Sequence, residues 1–259
     1  MVADFKSAKP SMFGFPFGFP NQNTVTMLRI AHLFADASAP PTIDDADSDE
    51  EEMLAAKSLR IGDVSGDHGS LSPVTGVMKA SQLSLVEAAA LTGVLGIAAM
   101  VYMAAERGSV LARDDPHGLT PDEAGALTLF TMEGNLYPSM NRLLRERNRT
   151  VLTPFFPYMR LMLNARHKLP AFRGNVWRGV AGKDLRSEFV KGQEMYWWSF
   201  SSTSKQVSTL HNPMFLGKTG VRTQFLIEVL HGVDIERYSI YQGVCEDVIS
   251  THNDVTYIA

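Results

Sequence analysis

Around Leu169 the sequence changes its period. Before it, apolar residues recur at helical spacing; after it, they alternate. A helix buries a stripe and a strand buries every second residue, so the two halves call for different secondary structure. Helices gathered first and strands gathered after give an α+β fold. They argue against a doubly wound sheet, in which the two alternate. No Gly-x-Gly-x-x-Gly opens a helix after a strand, so a Rossmann nucleotide site is unsupported.

In the first half, residues 84–107 read as one helix. Ser84 and Glu87 have capping-box spacing, and Gly108 supplies a stop. Residues 88–105 carry no charge. Eighteen residues is the lower limit for a membrane span. Seven alanines and two glycines dilute the stretch, and Glu87 and Glu106 bracket it. A packing helix is the first reading and a membrane helix the second. A second helix starts at Thr120-Pro121-Asp122-Glu123, again a capping box with proline at the first helical position. A third spans about residues 138–147, with Met140, Leu143 and Leu144 inward and arginines outward. A fourth spans about 153–166, striped by Phe156, Met159 and Leu163.

In the second half, Val176, Arg178 and Val180 face one way and Trp177 and Gly179 the other. Residues 195–202 read as a strand, and residues 205–210 as a short helix. Residues 223–230 form a further strand, with Thr223, Phe225, Ile227 and Val229 inside. Residues 248–249 and 255–258 are the last strands. Gly217-Lys218-Thr219-Gly220 is too short and wrongly spaced for a Walker loop.

A chain of 259 residues, 45% hydrophobic, supports one domain plus extra sequence. The extra sequence is residues 1–80, which read as a disordered tail. Its Phe13-Gly14-Phe15-Pro16-Phe17-Gly18-Phe19-Pro20 run is low in complexity, with a short docking motif as the other reading. Its acidic run from Asp44 to Glu52 stays solvated and lacks the turn glycine and spaced ligands of a calcium loop. A net charge of −4 does not suggest a nucleic-acid partner. The single cysteine, Cys245, allows no internal disulfide and fits a reducing, intracellular compartment. The histidines show no ligand spacing, so no metal is assigned.

Three polar residues interrupt the strand-like runs: Arg178, Ser202 and Glu246. An arginine on a strand grips phosphate bidentately. Serine and threonine hydroxyls at a strand end position a carboxylate or a sugar. A glutamate beside a sugar stabilises positive charge at its anomeric carbon. That set suits cleavage of an N-glycosidic bond in a phosphorylated substrate, although the second carboxylate of ordinary glycosidases is not obvious. The other reading is three satisfied strand residues.

The stretch resembles the Arg-Ser-Glu class of mono-ADP-ribosyltransferases, the NAD(P)-arginine ADP-ribosyltransferase family. Arg178 in Val176-Trp177-Arg178-Gly179 matches the family's first-strand arginine, and Phe200-Ser201-Ser202-Thr203-Ser204 its Ser-Thr-Ser strand. Phe215-Leu216-Gly217, the run from Arg222 to Glu228, and Tyr238-Ser239-Ile240-Tyr241 follow in order. Leu119 to Ala124, Thr131 to Gly134, Tyr137-Pro138 with Asn141, and Leu143-Leu144-Arg145 resemble the family's helices.

The resemblance implies helices packed on a two-sheet β-core with an NAD cleft, over residues 118–259, with residues 81–108 as a helix outside it. NAD, or NADP in its place, would bind as substrate, and a protein side chain, typically arginine, would accept ADP-ribose. Arg178 would hold the phosphates, Ser202 would orient Glu246, and Glu246 would be the catalytic carboxylate. Gly179, Thr203 and Phe215 complete the implied dinucleotide contacts, Phe215 against nicotinamide. The family's last motif is Glu-x-Glu or Gln-x-Glu. Here it reads Val244-Cys245-Glu246, or Cys245-Glu246-Asp247 with one residue skipped. The first carboxylate is absent either way, and Asp247 stands as the alternative to Glu246. The readings are therefore a transferase, an NAD glycohydrolase, or an inactive binding member.

Overall fold

The computed structural model describes residues 25–32, 71–212, 215–241, 247–251 and 255–258. The Phe-Gly-Pro run and the acidic run lie outside these residues. The helices are α1 (Leu85–Leu91), α2 (Ala98–Leu111), α3 (Pro121–Thr131), α4 (Leu136–Leu144), α5 (Phe156–Lys168) and α6 (Val207–Leu210). The strands are β1 (Val25–His32), β2 (Ala171–Ala181), β3 (Glu194–Met195), β4 (Phe200–Ser204), β5 (Arg222–Asp234), β6 (Asp247–Thr251) and β7 (Val255–Ile258). This is an α+β fold with its helices first. Among the described residues, one strand, β1, precedes them.

Both expected capping boxes are formed. The Glu87 amide donates to the Ser84 hydroxyl, and the Ser84 amide donates to the Glu87 carboxylate at 3.0 Å. The Thr120 amide donates to Glu123 in the same way at 2.8 Å. The single helix expected over 84–107 is instead two. Gly93 and Gly96 have φ of +67° and +78°, a left-handed backbone that ends a helix. The break leaves Leu95 85% exposed between α1 and α2. Among the described residues, no helix is long and apolar enough to cross a membrane.

Helix α3 is buried from Glu123 to Thr131. Helix α2 crosses it where Gly108 meets Gly125; a Cβ on Gly108 would collide with the Pro121 carbonyl and stand 2.5 Å from the Gly125 nitrogen. Residues from Val74 to Ala104 share one core with α3, α4 and α5, and with Phe200, Val233, Ile235 and Tyr238 of the β half. The fourth expected helix begins with a 3₁₀ segment, Arg149–Phe155, containing Pro154, before α5 takes over.

Strand β5 carries the β half. Along one edge it pairs antiparallel with β2, from Arg222 opposite Ala181 to Val233 opposite Ala171. Its other edge pairs with β1 at Thr223–Glu228 and with β6 at Val233 and Asp234. Strand β4 lies between β6 and β2, so β2, β4, β6 and β5 close into one hydrogen-bonded circuit. A second core lies on one face of β2 and β5: Val176, Val180, Phe225, Ile227 and Val229 alternate onto it, and Trp197 and Phe189 pack against them.

Two expectations change here. The strand read over 195–202 is interrupted. Trp197 packs into the second core while Trp198 lies 4.6 Å from the Arg149 guanidinium, and the Ser199 amide donates to the Trp197 carbonyl at 2.9 Å, a tight turn that breaks the strand. The chain therefore leaves β3 after Met195 and re-enters as β4 at Phe200. Within the span read as a tail, residues 25–32 form β1, which also pairs parallel with β7.

Candidate active site

Strands β2 and β4 are in register at one residue pair, Trp177 with Ser204. Beyond it they diverge, and the opening between them is a cleft. Arg178, Gly179, Ser202, Thr203 and Phe215 all line it, so five of the six proposed site residues meet there. Glu246 lies outside the described residues. Its sequence neighbour Asp247 opens β6 in register with Ser204, and Ile249 stands opposite Ser202.

Arg178 is 6% exposed. A buried cation is costly unless its donors are satisfied. Its Nη1 donates to the Ser202 carbonyl at 3.3 Å and its Nη2 to the Tyr137 hydroxyl at 3.3 Å. The guanidinium carbon is 5.5 Å from the Trp197 ring centroid, within cation–π range. The arginine is thus held on β2 with its head between β4 and α4. Its neighbour Gly179 has Leu216 against it; an added Cβ would sit 2.8 Å from the Leu216 Cβ. That close approach brings the loop carrying Phe215 up to the cleft. The Phe215 ring meets Tyr241 edge-on, centroids 5.7 Å apart.

The other wall comes from the helices, through Phe130, Thr131 and Tyr137. The chain leading to residues 242–246 is tied to α2 and α3. Arg107 donates to the Ser239 carbonyl at 3.0 Å, Thr128 to the Tyr238 carbonyl at 2.8 Å, and the Ile240 amide to the Thr131 hydroxyl at 3.1 Å. Tyr137, Asn141 and Tyr241 received no site role from the sequence. The available signal was Tyr137 and Asn141 four residues apart, hence on one helical face. Among the described residues, no group of three or more His, Cys, Asp or Glu is placed to hold a metal ion.

The arrangement is a polar-and-aromatic cleft with one buried guanidinium, hydroxyls on the facing strand and a half-buried phenyl ring at its edge. It suits a ligand that combines phosphate with a flat ring. A family model described as NAD:arginine ADP-ribosyltransferase matches residues 96–257, and the chain belongs to that family.

Several solved structures are similar to the chain. The type III effector XopAI from Xanthomonas axonopodis pv. citri, a truncated form, is 13% identical with a TM-score of 0.46, covering 80% of this chain and 95% of that one. The eucaryotic mono-ADP-ribosyltransferase ART2.2 is 15% identical, TM-score 0.44, covering 67% and 83%. The ADP-ribosyltransferase HopU1 of Pseudomonas syringae pv. Tomato DC3000 is 17% identical, TM-score 0.41, covering 57% and 81%. No curated protein sequence matches the chain.

Proposed function

We propose that the chain transfers ADP-ribose from NAD to a protein side chain, an arginine guanidinium, and releases nicotinamide. The observation that carries this reading is the meeting of Arg178 and Ser202, 3.3 Å from guanidinium to main-chain carbonyl, at one cleft between β2 and β4. Family membership supports NAD as the substrate.

In this reading Arg178 holds the dinucleotide's phosphates and Phe215 packs on nicotinamide. Ser202 orients Glu246, which bonds a hydroxyl of the nicotinamide-side ribose. The C–N glycosidic bond breaks and its electron pair stays with the nicotinamide nitrogen. Glu246 stabilises the positive charge that develops on the ribose; stabilising a developing charge is a large catalytic term. The acceptor nitrogen then forms the new C–N bond and gives up a proton.

A second reading has its own observation. The first position of the family's Glu-x-Glu, two residues before the catalytic carboxylate, is Val244 or Cys245 here. Neither offers a guanidinium a carboxylate, whereas water as acceptor needs no such partner. That observation supports NAD hydrolysis as the second reading.

Nicotinamide release by the full chain, with and without agmatine, separates the two. Release that rises with agmatine and yields an ADP-ribosylated product supports arginine transfer; release indifferent to it supports hydrolysis. NAD binding without release supports a binding-only member. Running NADP in parallel tests the choice of dinucleotide. Glu246→Ala should lower release about 10²–10³-fold with the fold intact, as loss of a charge-stabilising group does elsewhere. An unaltered rate there, with loss in Asp247→Ala, would move the role to Asp247.

A further inference from the structure

Asn141 is fully buried, among Met140, Leu144 and the rest of the helical core. A carboxamide in such surroundings is costly unless it is bonded. It is bonded twice, to one residue. Its Nδ2 donates to the Phe200 carbonyl at 2.9 Å, and the Phe200 amide donates to its Oδ1 at 3.0 Å. A side-chain amide matched to both groups of one peptide residue does what a neighbouring strand would do. A leucine would fill the same space and satisfy neither group.

The place matters. Strand β2 is in register with β4 only at Ser204. Phe200, at the other end of β4, has Asn141 where a strand partner would be. Along its other edge β4 pairs with β6 over all five residues; on the cleft edge Ser202 lies midway between Ser204 and Phe200. Main-chain groups of residues two apart in a strand point to the same edge. Accordingly the Ser202 carbonyl meets Arg178 on the edge where Phe200 meets Asn141. One turn earlier on α4, the Tyr137 hydroxyl accepts from the same guanidinium. One face of α4 therefore touches both strands of the cleft.

We propose that Asn141 is a positioning residue for the candidate site: it fixes the angle of β4, so that Ser202 stands at bonding distance from Arg178. The inference rests on the NAD-binding reading given above. It places Asn141 outside the reaction, acting through Arg178 and Ser202.

The test is NAD affinity of the full chain by titration calorimetry, at a temperature where every variant is folded by circular dichroism. Asn141→Asp keeps the acceptor for the Phe200 amide and loses the donor to its carbonyl. Asn141→Asp and Arg178→Lys should each weaken NAD binding roughly tenfold, and the double variant by well under the roughly hundredfold that independent sites would give. Met159→Ala, a loss of stability in the same core but away from α4, should leave affinity unchanged.

Additive effects, an unchanged Asn141→Asp, or an equal loss in Met159→Ala would each overturn the proposal. Should Asn141→Asp fail to fold, Asn141→Ser carries the same comparison. A wild-type chain that does not bind NAD would remove both readings; a wild type that binds NAD, with no coupling, would remove this one alone.

Discussion

Asp115 ties the loop before α3 to the chain that follows β5. Its carboxylate accepts from the amides of His117 at 3.1 Å and Leu119 at 2.8 Å, and from the Tyr238 hydroxyl 123 residues away. Arg237 stands 3.6 Å off. Burial pushes the carboxyl's pKa up, but the hydrogen bonds from Leu119, Tyr238 and His117 outweigh it and hold the value below the ordinary carboxylate range. The same pairing, after burial, holds the Tyr238 phenol well above its usual value. A depressed carboxyl pKa adds stability that is complete above the unfolded-state value and is lost as pH falls through the folded one. Chemical denaturation should therefore show Asp115→Asn less stable than wild type by a constant margin above about pH 4.5, a margin that shrinks below about pH 4. A margin independent of pH down to 3 would assign the loss to packing instead.

At the scale of elements, the crossing of α2 and α3 is the most sterically demanding contact. Gly108→Ala puts a methyl against main-chain atoms of Pro121 and Gly125, which cannot swing aside as a side chain does. It should cost about 2–3 kcal/mol in urea denaturation. Gly93→Ala, with nothing within 4 Å but a φ of +67°, should cost only about 1 kcal/mol, the strain alone. What was legible in the sequence divides along similar lines. The capping boxes and the inward faces of β2 and β5 were legible because both depend on local spacing. The break at Gly93 and Gly96 was not, because an apolar run with scattered glycines reads as continuous helix. The interruption before β4 is a tight turn closed between main-chain atoms of Trp197 and Ser199, which residue identity does not announce. Arg178, Ser202, Gly179, Thr203 and Phe215 were found together through motif order. Asn141 escaped a role because its partner, Phe200, is 59 residues on and is met through main-chain atoms, which leave no trace in residue identity.

At the scale of the whole molecule, β1 covers the outer edge of β5 from Thr223 to Glu228. A chain starting at residue 33 would leave that edge bare, and an uncovered edge strand invites pairing between molecules. Such a truncation should melt lower than a chain starting at residue 25 and associate at concentrations where the longer one stays monodisperse by light scattering. Equal melting and equal dispersity would show that β1 contributes nothing to the sheet's stability. The single register pair between β2 and β4 has a mechanical meaning. With one bridge to β2, at Trp177 and Ser204, and β6 carried along its other edge, the cleft is a wedge whose width is an angle and not a spacing. At about 3.3 Å per residue, a 10° swing about that bridge moves Ser202 by about 1 Å and Phe200 by about 2 Å. A displacement of about 1 Å at reacting groups is enough to cost about a hundredfold in rate. The amide clamp at Phe200 sits at the far end of this lever, where a given restoring force exerts the largest torque. A small buried side chain can therefore govern the aperture of a site it never touches.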